Sequence, residues 1–374
     1  MSKSKILHIT GAMNVGGTET MLINLYRKVN KEITFDFISY SDKKAYYDKE
    51  IGKLGGTVIR LKAPSEVGFI GSIKDISNVI KESGPYNAVH THMLFNCGIA
   101  MIAAYLSGVK IRVSHAHTTA DSSTSLIRKV YISAMRLLIK VFSTDFLACS
   151  DGAGKYLFGN SIVNSKRYKM LPNYIDYEKF INFNDKNKIR SEVGIKEDDI
   201  VFGLIGRFIT AKNHTFLIDV ANEMIQKNNK VKLMLVGTGD FEEEIKEKVK
   251  KLGIASNVYF LGIRDDIPAV LSSMNLFILP SISEGLGLVL LESQASKLPC
   301  LVSEAIQPEV DLGVNLVNKI NLSCGKEQWA KKAFDILEKN NAQDINIARA
   351  VKEKKYDLNS ILDNLKVVYN LNLR

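Results

Sequence analysis

The sequence predicts an α/β protein with two doubly wound domains, each built on a parallel sheet with helices on both faces. Three observations support this prediction. Apolar runs of strand length alternate with helix-length segments along most of the chain. The 374 residues exceed what one ordinary core holds. The charge is uneven, since residues 1–174 hold 23 Lys and Arg against 12 Asp and Glu, whereas residues 175–374 hold 27 against 28.

The first half contains six strand candidates. They span 5–10, 34–39, 57–61, 86–92, 110–117 and 143–150. The first of them, KILHIT, leads into a glycine-containing loop over 11–17 and then into helical apolar spacing over 18–30. This order places the glycine loop at the first strand-to-helix turn, where doubly wound sheets bind their ligands.

The alternation is clearer in the second half. Strand candidates span 199–206, 231–237, 258–262, 275–280 and 298–303. Helical spacing is predicted over 213–226 and 241–252, and a terminal helix over 359–373.

A domain boundary is predicted at 173–176. The surrounding segment LPNYIDYEKF is rich in turn-forming residues and coincides with the change in charge balance. The predicted domains are therefore 1–173 and 174–355.

Composition excludes several classes of protein. No apolar stretch reaches the roughly 20 residues of a membrane span, and the N-terminal apolar run is too short for a signal peptide. The four scattered cysteines form neither a disulfide framework nor a metal knuckle, which predicts a reduced, cytoplasmic location. The basic first half could face an anionic membrane or a phosphate-bearing substrate, or be merely a basic surface. Nucleic acid is not expected, because aromatic interleaving and known modules are absent.

The strongest chemical signal is the segment SISEGLGLVLLESQ at 281–294, which follows a predicted strand and opens a helix. Gly285 and Gly287 leave backbone N–H groups uncovered at the helix start, where the helix dipole favours an anion. Glu284 precedes the helix, and Glu292 projects from its flank about two turns along. Two carboxylates around an anion site suit a nucleotide sugar, with hydroxyls on both sides of its phosphates. The alternative is a helix-start acid and an unrelated surface acid.

A second signal is the loop GRFITAKNH at 206–214, which also lies between a strand and a helix. Arg207 and Lys212 could converge on one phosphate, since Arg donates bidentately and Lys acts as a point charge. Together they could neutralise a diphosphate leaving group without a metal. Alone, each could be a solvated surface cation.

The glycine loop at 11–17 matches neither the dinucleotide fingerprint nor the P-loop pattern. Gly16 and Gly17 permit the backbone to approach a ligand closely. A simple tight turn is the alternative.

Histidines occur in two pairs at predicted strand ends, His90 with His92 and His115 with His117. Such pairs can bind a metal, but no set of Asp, Glu or Cys completes a site, so we predict no metal there. We expect the histidines to contact a polar ligand, with purely structural histidines as the alternative.

The segment 126–142 combines helical apolar spacing with four cations. It is predicted to be a core-facing helix with solvated cations or a basic amphipathic helix on anionic lipid.

Seven motifs occur in a fixed order from residue 11 to residue 304. They are GAMNVGGTET, HAHTT, LACSDGAGKYLFG, LPNYIDYEKF, GLIGRFITAKNHTFLIDV, LVGTGD and LPSISEGLGLVLLESQASKLPCLVSE. With them, the chain resembles the retaining GT-B glycosyltransferases of family 4, of the exopolysaccharide and capsule type. The resemblance implies two Rossmann-like domains facing across a cleft, and a C-terminal helix, about 356–374, that packs back on the first domain. The chain departs from the family at Tyr174, where Gly is usual, and at Leu286, where Phe is usual.

The resemblance also implies roles for individual residues. Arg207 and Lys212 would bind the donor diphosphate, and Glu292 the ribose hydroxyls. The other implied donor contacts are Glu284 with the backbone at Gly285, Leu286, Gly287 and Leu288, and Gly16 and Gly17 in the first domain. His117 would be the active-site histidine, with His115 as its competitor, and the acceptor side would hold Asn14, His115 and His117. The implied catalytic set is Arg207, Lys212, Glu284 and His117.

The predicted activity is transfer of a hexose, with retention, from a nucleotide-diphosphate sugar that is UDP-linked. The acceptor is a hydroxyl of a saccharide or of a polyprenyl-diphosphate-linked saccharide, which predicts a peripheral location at the inner face of the cell membrane. The resemblance implies no obligatory metal or other cofactor, and front-face transfer is preferred over a covalent intermediate. Two alternatives are a nucleotide-sugar epimerase of similar fold and a non-catalytic nucleotide-sugar binding protein.

Overall fold

A computed structural model of the chain describes residues 3–119, 125–171, 173–339 and 345–371. It divides into two units. The first unit comprises Met1–Tyr174 with Lys355–Arg374, and the second comprises Ile175–Lys354. Each unit contains one parallel sheet.

The first unit is built on a seven-stranded sheet. Its strands are β1 (Ser4–Thr10), β2 (Ile33–Ser39), β3 (Val58–Arg60), β4 (Ala88–Thr91), β5 (Ile111–Ala116), β6 (Asp145–Ala148) and β7 (Tyr168–Met170). Its helices before the boundary are α1 (Gly17–Val29), α2 (Asp48–Lys53), α3 (Pro64–Ser83), α4 (Cys97–Leu106), α5 (Leu126–Phe142), α6 (Asp151–Phe158) and α7 (Asn160–Val163). The strand order is β3-β2-β1-β4-β5-β6-β7, and the neighbouring strands pair in parallel.

The second unit is built on a six-stranded sheet. Its strands are β8 (Ile200–Ile205), β9 (Val231–Val236), β10 (Val258–Phe260), β11 (Leu276–Leu279), β12 (Cys300–Val302) and β13 (Val317–Lys319). Its helices are α8 (Glu178–Ile181), α9 (Asn187–Val193), α10 (His214–Lys227), α11 (Glu242–Lys251), α12 (Ile267–Ser272), α13 (Leu288–Ala295), α14 (Gly325–Lys339) and α15 (Ile347–Glu353). The strand order is β10-β9-β8-β11-β12-β13, again with parallel pairs.

The last helix, α16 (Leu358–Tyr369), joins the core of the first unit. Its apolar residues at helical spacing, Ile361, Leu365 and Val368, are buried in the same cluster as Leu22 and Phe35. The helix ends at Asn370, which adopts the left-handed conformation that stops many helices. Of the predicted terminal helix, residues 372 and 373 lie outside the described residues.

The predicted fold class is confirmed, with two parallel sheets flanked by helices. The central strands read as continuous apolar runs because helices cover both faces of such sheets, and Ile6, Leu7 and Ile9 of β1 are fully buried. Two strands were not predicted, β7 and β13. Each is three residues long at a sheet edge and partly exposed, so neither carries an apolar run.

None of the helices in the described ranges combines the length and the apolar character needed to cross a bilayer.

Candidate functional site

The strand order of the second sheet indicates which two of its loops lie where a ligand would bind. The order changes direction between β8 and β11, which are hydrogen-bonded neighbours although they are distant in sequence. Ligands of doubly wound sheets bind beyond the carboxyl ends of the strands at such a switch point. The loops that follow these two strands are 206–213 and 280–287, and they carry the two strongest chemical signals of the sequence.

The first of these loops is held by backbone contacts that require glycine. Gly237 has φ +126°, and a Cβ there would lie 2.3 Å from the Gly206 carbonyl oxygen. A Cβ on Gly239 would lie 2.6 Å from the carbonyl oxygen of Phe208. The Phe208 amide in turn donates to the Thr238 carbonyl at 3.0 Å. The LVGTGD motif is thereby explained, because only glycine lets the loop after β9 lie directly on the loop that carries Arg207.

Lys212 and Glu284 form an ion pair across the two loops. Both side chains are largely buried, with 17% and 10% exposure. Ser281 donates to the same carboxylate oxygen at 2.9 Å, and the Ile282 amide donates to the Ala211 carbonyl at 2.8 Å. The two predicted site segments therefore form one hydrogen-bonded assembly at the switch point.

Arg207 is less buried than this ion pair, since Arg207 is exposed and the Lys212 side chain is not. Between them Phe208 is buried and stacks on His214, with ring centroids 4.2 Å apart. Burial and the neighbouring Lys212 charge lower the pKa of His214 to about 4, so its ring is neutral near pH 7. The loop thus carries one exposed guanidinium and one partly shielded ammonium.

The second loop ends at α13, whose start is shaped by Gly287. This residue has φ +88° and ψ 64°, and a Cβ there would lie 3.3 Å from the Leu290 side chain. The first amides of any helix lack acceptors within the helix. The start of α13, with its eight residues, therefore places donors and the positive end of a helix dipole near the Glu284 loop.

Glu292 lies one turn into α13 and is partly buried. Its carboxyl group makes no hydrogen bond or ion pair to the described residues. Burial raises the pKa of this carboxyl to about 8. A largely buried carboxyl group with no partner among the described residues is unfavourable for folding, and such groups are concentrated at functional sites.

The helix that carries Glu292 is anchored by Gln294, which is fully buried. Its Nε2 donates to the carbonyls of Leu290 and Val310 at 2.9 and 2.8 Å, and its Oε1 accepts from the Leu312 amide at 2.9 Å. All of these bonds lie within the second unit. They fix the rotation of α13 and hence the position of Glu292.

The first sheet has its own switch point, between β1 and β4. The glycine loop follows β1, and Gly16 is the N-cap of α1. A Cβ on Gly17 would meet no atom within 4 Å among those of the described chain, so packing within it does not require this glycine. Asn14, predicted for the acceptor side, accepts a hydrogen bond from the Tyr46 amide at 3.1 Å.

A histidine cluster occupies the same switch point. We define it as His8, His90, His92, His115 and His117, which are five of the six histidines of the chain. One row of hydrogen bonds joins His8 Nδ1 to His92 Nε2 at 3.1 Å and His92 Nδ1 to His117 Nε2 at 2.8 Å. A second row joins His90 Nε2 to His115 Nδ1 at 3.1 Å, and His90 Nδ1 to the Tyr369 hydroxyl of α16 at 2.6 Å.

Burial keeps the histidine cluster uncharged. It lowers the pKa of His8 and of His117 to about 3, and it lowers the pKa values of the other three rings well below the usual range. His8 was not predicted as a member. Its position could have been inferred, since His8 and His90 are register partners on adjacent central strands.

Helix α5 buries only a narrow face, Met135 and Ile139. Five large apolar side chains are exposed, namely Leu126, Ile127, Val130, Leu137 and Val141. At about 100° per residue they fall within a sector of roughly 100°, opposite the buried pair. The expectation of a core-facing helix with solvated cations is therefore incomplete. One of the four cations, Arg136, is not fully solvated, because its Nε donates to the Leu157 carbonyl at 3.3 Å.

The structure thus brings together Lys212 and Glu284, with Arg207 on the same loop and Glu292 on the helix that follows. In the first unit it brings together both predicted histidine pairs. Sequence reasoning missed Ser281 as a hydrogen-bond donor to Glu284, although Ser281 lies three residues earlier, in the loop that follows β11.

The two units match two family models in chain order. Residues 15–179 match Glycosyltransferase Family 4, and residues 185–356 match Glycosyl transferases group 1. These matches define an enzyme that transfers sugars, with two Rossmann-like domains. The chain belongs to this glycosyltransferase family, since it is 34% identical to EpsF of Bacillus subtilis (strain 168), named as a glycosyltransferase, over 99% of this chain and 97% of that one.

Two further relatives carry more specific names. The capsular polysaccharide biosynthesis glycosyltransferase CapH of Staphylococcus aureus is 26% identical, over 98% of both chains. The UDP-Gal:alpha-D-GlcNAc-diphosphoundecaprenol alpha-1,3-galactosyltransferase of Escherichia coli is 29% identical, over 81% of this chain and 80% of that one.

Among solved structures, Anabaena Alr3699/HepE in complex with UDP and glucose matches with a TM-score of 0.80 and 18% identity, over 98% of this chain and 100% of that one. This likeness shows the fold, which is GT-B. Family membership also decides against the epimerase and against the non-catalytic binding protein.

Proposed function

We propose that this glycosyltransferase moves a hexose, with retention, from a UDP-linked donor to a hydroxyl of a saccharide or lipid-linked saccharide. The observation that carries the proposal is the assembly of Lys212, Glu284 and Arg207 at the switch point of the second sheet. The relative named as using UDP-Gal and the solved relative with bound UDP support a UDP donor.

The chemical task is to stabilise a diphosphate as it leaves the sugar. Negative charge grows on the diphosphate while the anomeric carbon becomes positive. Arg207 and Lys212 supply two cations, and the start of α13 supplies amide donors, so the charge can be stabilised without a metal. Glu284 accepts from sugar hydroxyls while it holds Lys212 in place, and Glu292 accepts from the ribose. Retention by front-face transfer is proposed because these groups bind a leaving group and include no paired base and nucleophile.

The acceptor is proposed to bind the first unit, with Asn14, His115 and His117 as contacts. The relatives named for capsular polysaccharide and for a diphosphoundecaprenol substrate support an acceptor in polysaccharide synthesis that is linked to a lipid. The net charge of +11 over residues 1–174 and the apolar face of α5 suit the inner membrane surface where such an acceptor resides.

The donor assignment is tested by slow hydrolysis of nucleotide sugars. We expect one UDP-sugar to be hydrolysed, and Arg207→Ala to slow this by about 100-fold, since one charge-assisted donor to the leaving group is lost. Glu292→Ala is expected to raise the donor concentration needed for half-maximal hydrolysis. Hydrolysis that survives both substitutions unaltered would refute the site.

Peripheral membrane association gives a second prediction. The chain is expected to bind vesicles containing anionic lipid, and to be released as salt rises, because Lys129 and Lys140 flank the exposed apolar face of α5. Val130→Glu places a charge in that face and should weaken partitioning by about tenfold. Val367→Glu is the matched control, because Val367 on α16 is 66% exposed and Val130 is 65% exposed. Equal partitioning of the two variants, measured by co-sedimentation, would exclude α5 as the contact.

A further inference from the structure

Several buried nitrogens of the histidine cluster have no hydrogen-bond partner among the described residues. They are Nε2 of His8, Nε2 of His115 and Nδ1 of His117. A buried polar atom without a partner is unfavourable by about 1–3 kcal/mol, and three such atoms in one cluster call for an explanation. An ion or an ordered water is the usual one.

Although the sequence predicts no metal at these histidines, three imidazoles need no carboxylate or thiolate beside them, and we propose that His92, His115 and His117 form a binding site for a divalent transition-metal ion of the zinc and cobalt type. One ring nitrogen of each of these residues lies within 4.8 Å of those of the other two. Three imidazoles with an open fourth position are a common ligand set for Zn²⁺. To coordinate one ion at the Zn–N distance of about 2.1 Å, the rings must rotate towards one another.

The second nitrogens of His92 and His115 support this choice of ligands, whereas that of His117, Nδ1, has no partner among the described residues. Metal-binding histidines usually have their second nitrogen held by a hydrogen bond, which sets the tautomer and the ring orientation. His92 Nε2 is held by His8, which leaves Nδ1 for the ion. His115 Nδ1 is held by a hydrogen bond with His90, and His90 is held in turn by Tyr369. The unpartnered Nε2 of His115 is therefore available to the ion.

Binding of an ion would also change the hydrogen bonds of the three rings. An ion at these rings would replace the hydrogen bond between His92 and His117 and give a partner to the buried nitrogen of His115.

The site is tested by Co²⁺ titration of the full chain after removal of any affinity tag and treatment with a chelator. We expect a saturable visible absorption of low-coordinate Co²⁺ at one ion per chain, displaced by Zn²⁺. The double substitution His92→Ala/His115→Ala should abolish it, whereas His214→Ala, which removes the one histidine outside the cluster, should leave it unchanged. A titration without a saturable band, or a band that persists in the double variant, would overturn the proposal.

A milder variant tests the site even if the double variant fails to fold. Tyr369→Phe keeps every proposed ligand and removes only the hydroxyl that supports His90. We expect about tenfold weaker Co²⁺ binding, the usual effect of losing an outer hydrogen bond, with a cooperative thermal transition. Unchanged affinity in this variant would contradict the assigned support of His115.

Activity provides a second readout that rests on the proposed function. Since His117 would serve both the ion and the sugar substrates, the Zn²⁺-loaded chain should transfer sugar more slowly than the chelated chain. Equal rates would remove the shared role of His117, whereas the Co²⁺ titration alone decides whether the ion binds. Failure of the metal site and failure of the transferase proposal are therefore distinguishable.

Discussion

Replacing Lys212 with Ala is expected to lower kcat/KM for sugar transfer by about 1,000-fold, or about 4 kcal/mol of transition-state stabilisation. The ammonium lies largely buried beside Glu284, so solvent screens its charge less than that of a surface lysine. A leaving diphosphate in contact with it gains more from that charge as the bond breaks. The measurement is steady-state transfer with a UDP-sugar at saturating acceptor.

The substitution also leaves Glu284 without its cation, which could destabilise the fold. The double variant Lys212→Gln/Glu284→Gln keeps a neutral hydrogen-bonded pair, and it should unfold near the wild-type temperature while remaining inactive. Lys230→Ala is the matched control for charge, because Lys230 pairs with Asp198 at 2.7 Å on the exposed surface of the same unit. Transfer by Lys212→Ala at the rate of Lys230→Ala would exclude Lys212 from the chemical step.

Replacing Glu292 with Gln is expected to stabilise the free protein and to weaken UDP binding at the same time. Burial raises the folded-state pKa of this carboxyl to about 8, whereas in the unfolded chain it ionises near 4.5. The group therefore destabilises the fold progressively as pH rises from about 4.5 to 8, and fully above 8. Glutamine removes this effect, so the variant should gain up to about 4 kcal/mol at pH 8 and about nothing at pH 4.

The same substitution should weaken UDP binding by about 10- to 100-fold at pH 8, because the ionised carboxylate accepts hydrogen bonds from both ribose hydroxyls and the amide does so less well. At pH 7 the free carboxyl is mostly protonated, so UDP binding by the wild type should release a proton. Calorimetry in buffers of different ionisation enthalpy measures that proton.

Two controls separate this effect from general stability. The UDP affinity of the wild type should rise between pH 6.5 and 8.5, whereas that of Glu292→Gln should stay flat. Glu304→Gln removes a carboxylate elsewhere in the unit, one that accepts from the Leu322 amide, and should leave UDP affinity unchanged. A wild type that binds UDP without proton release would disprove the ribose contact.

Much of the fold could be predicted because its signals are local. An apolar run between turn residues is visible in the sequence, as in KILHIT or NLFILP, and the buried central strands consist of such runs. The edge strands β7 and β13 escaped prediction because partial exposure removes the constraint that makes a strand apolar. Helix α5 was predicted at its observed bounds. Its exposed apolar face could not be predicted, because periodicity shows that two faces of a helix differ but does not show which face is covered.

The two-domain α/β class and the loops that carry Arg207, Lys212, Glu284 and Glu292 could be read from the residues in order, because alternation, glycines and charges are properties of neighbouring residues. Which of these groups meet became visible in the folded chain. It paired Lys212 with Glu284 across 72 positions and gave Glu292 no partner among the described residues, with its pKa raised. It also gathered His8 with two distant histidine pairs through the parallel pairing of β1, β4 and β5. Such contacts depend on strand order, and strand order is set by packing between elements far apart in the chain.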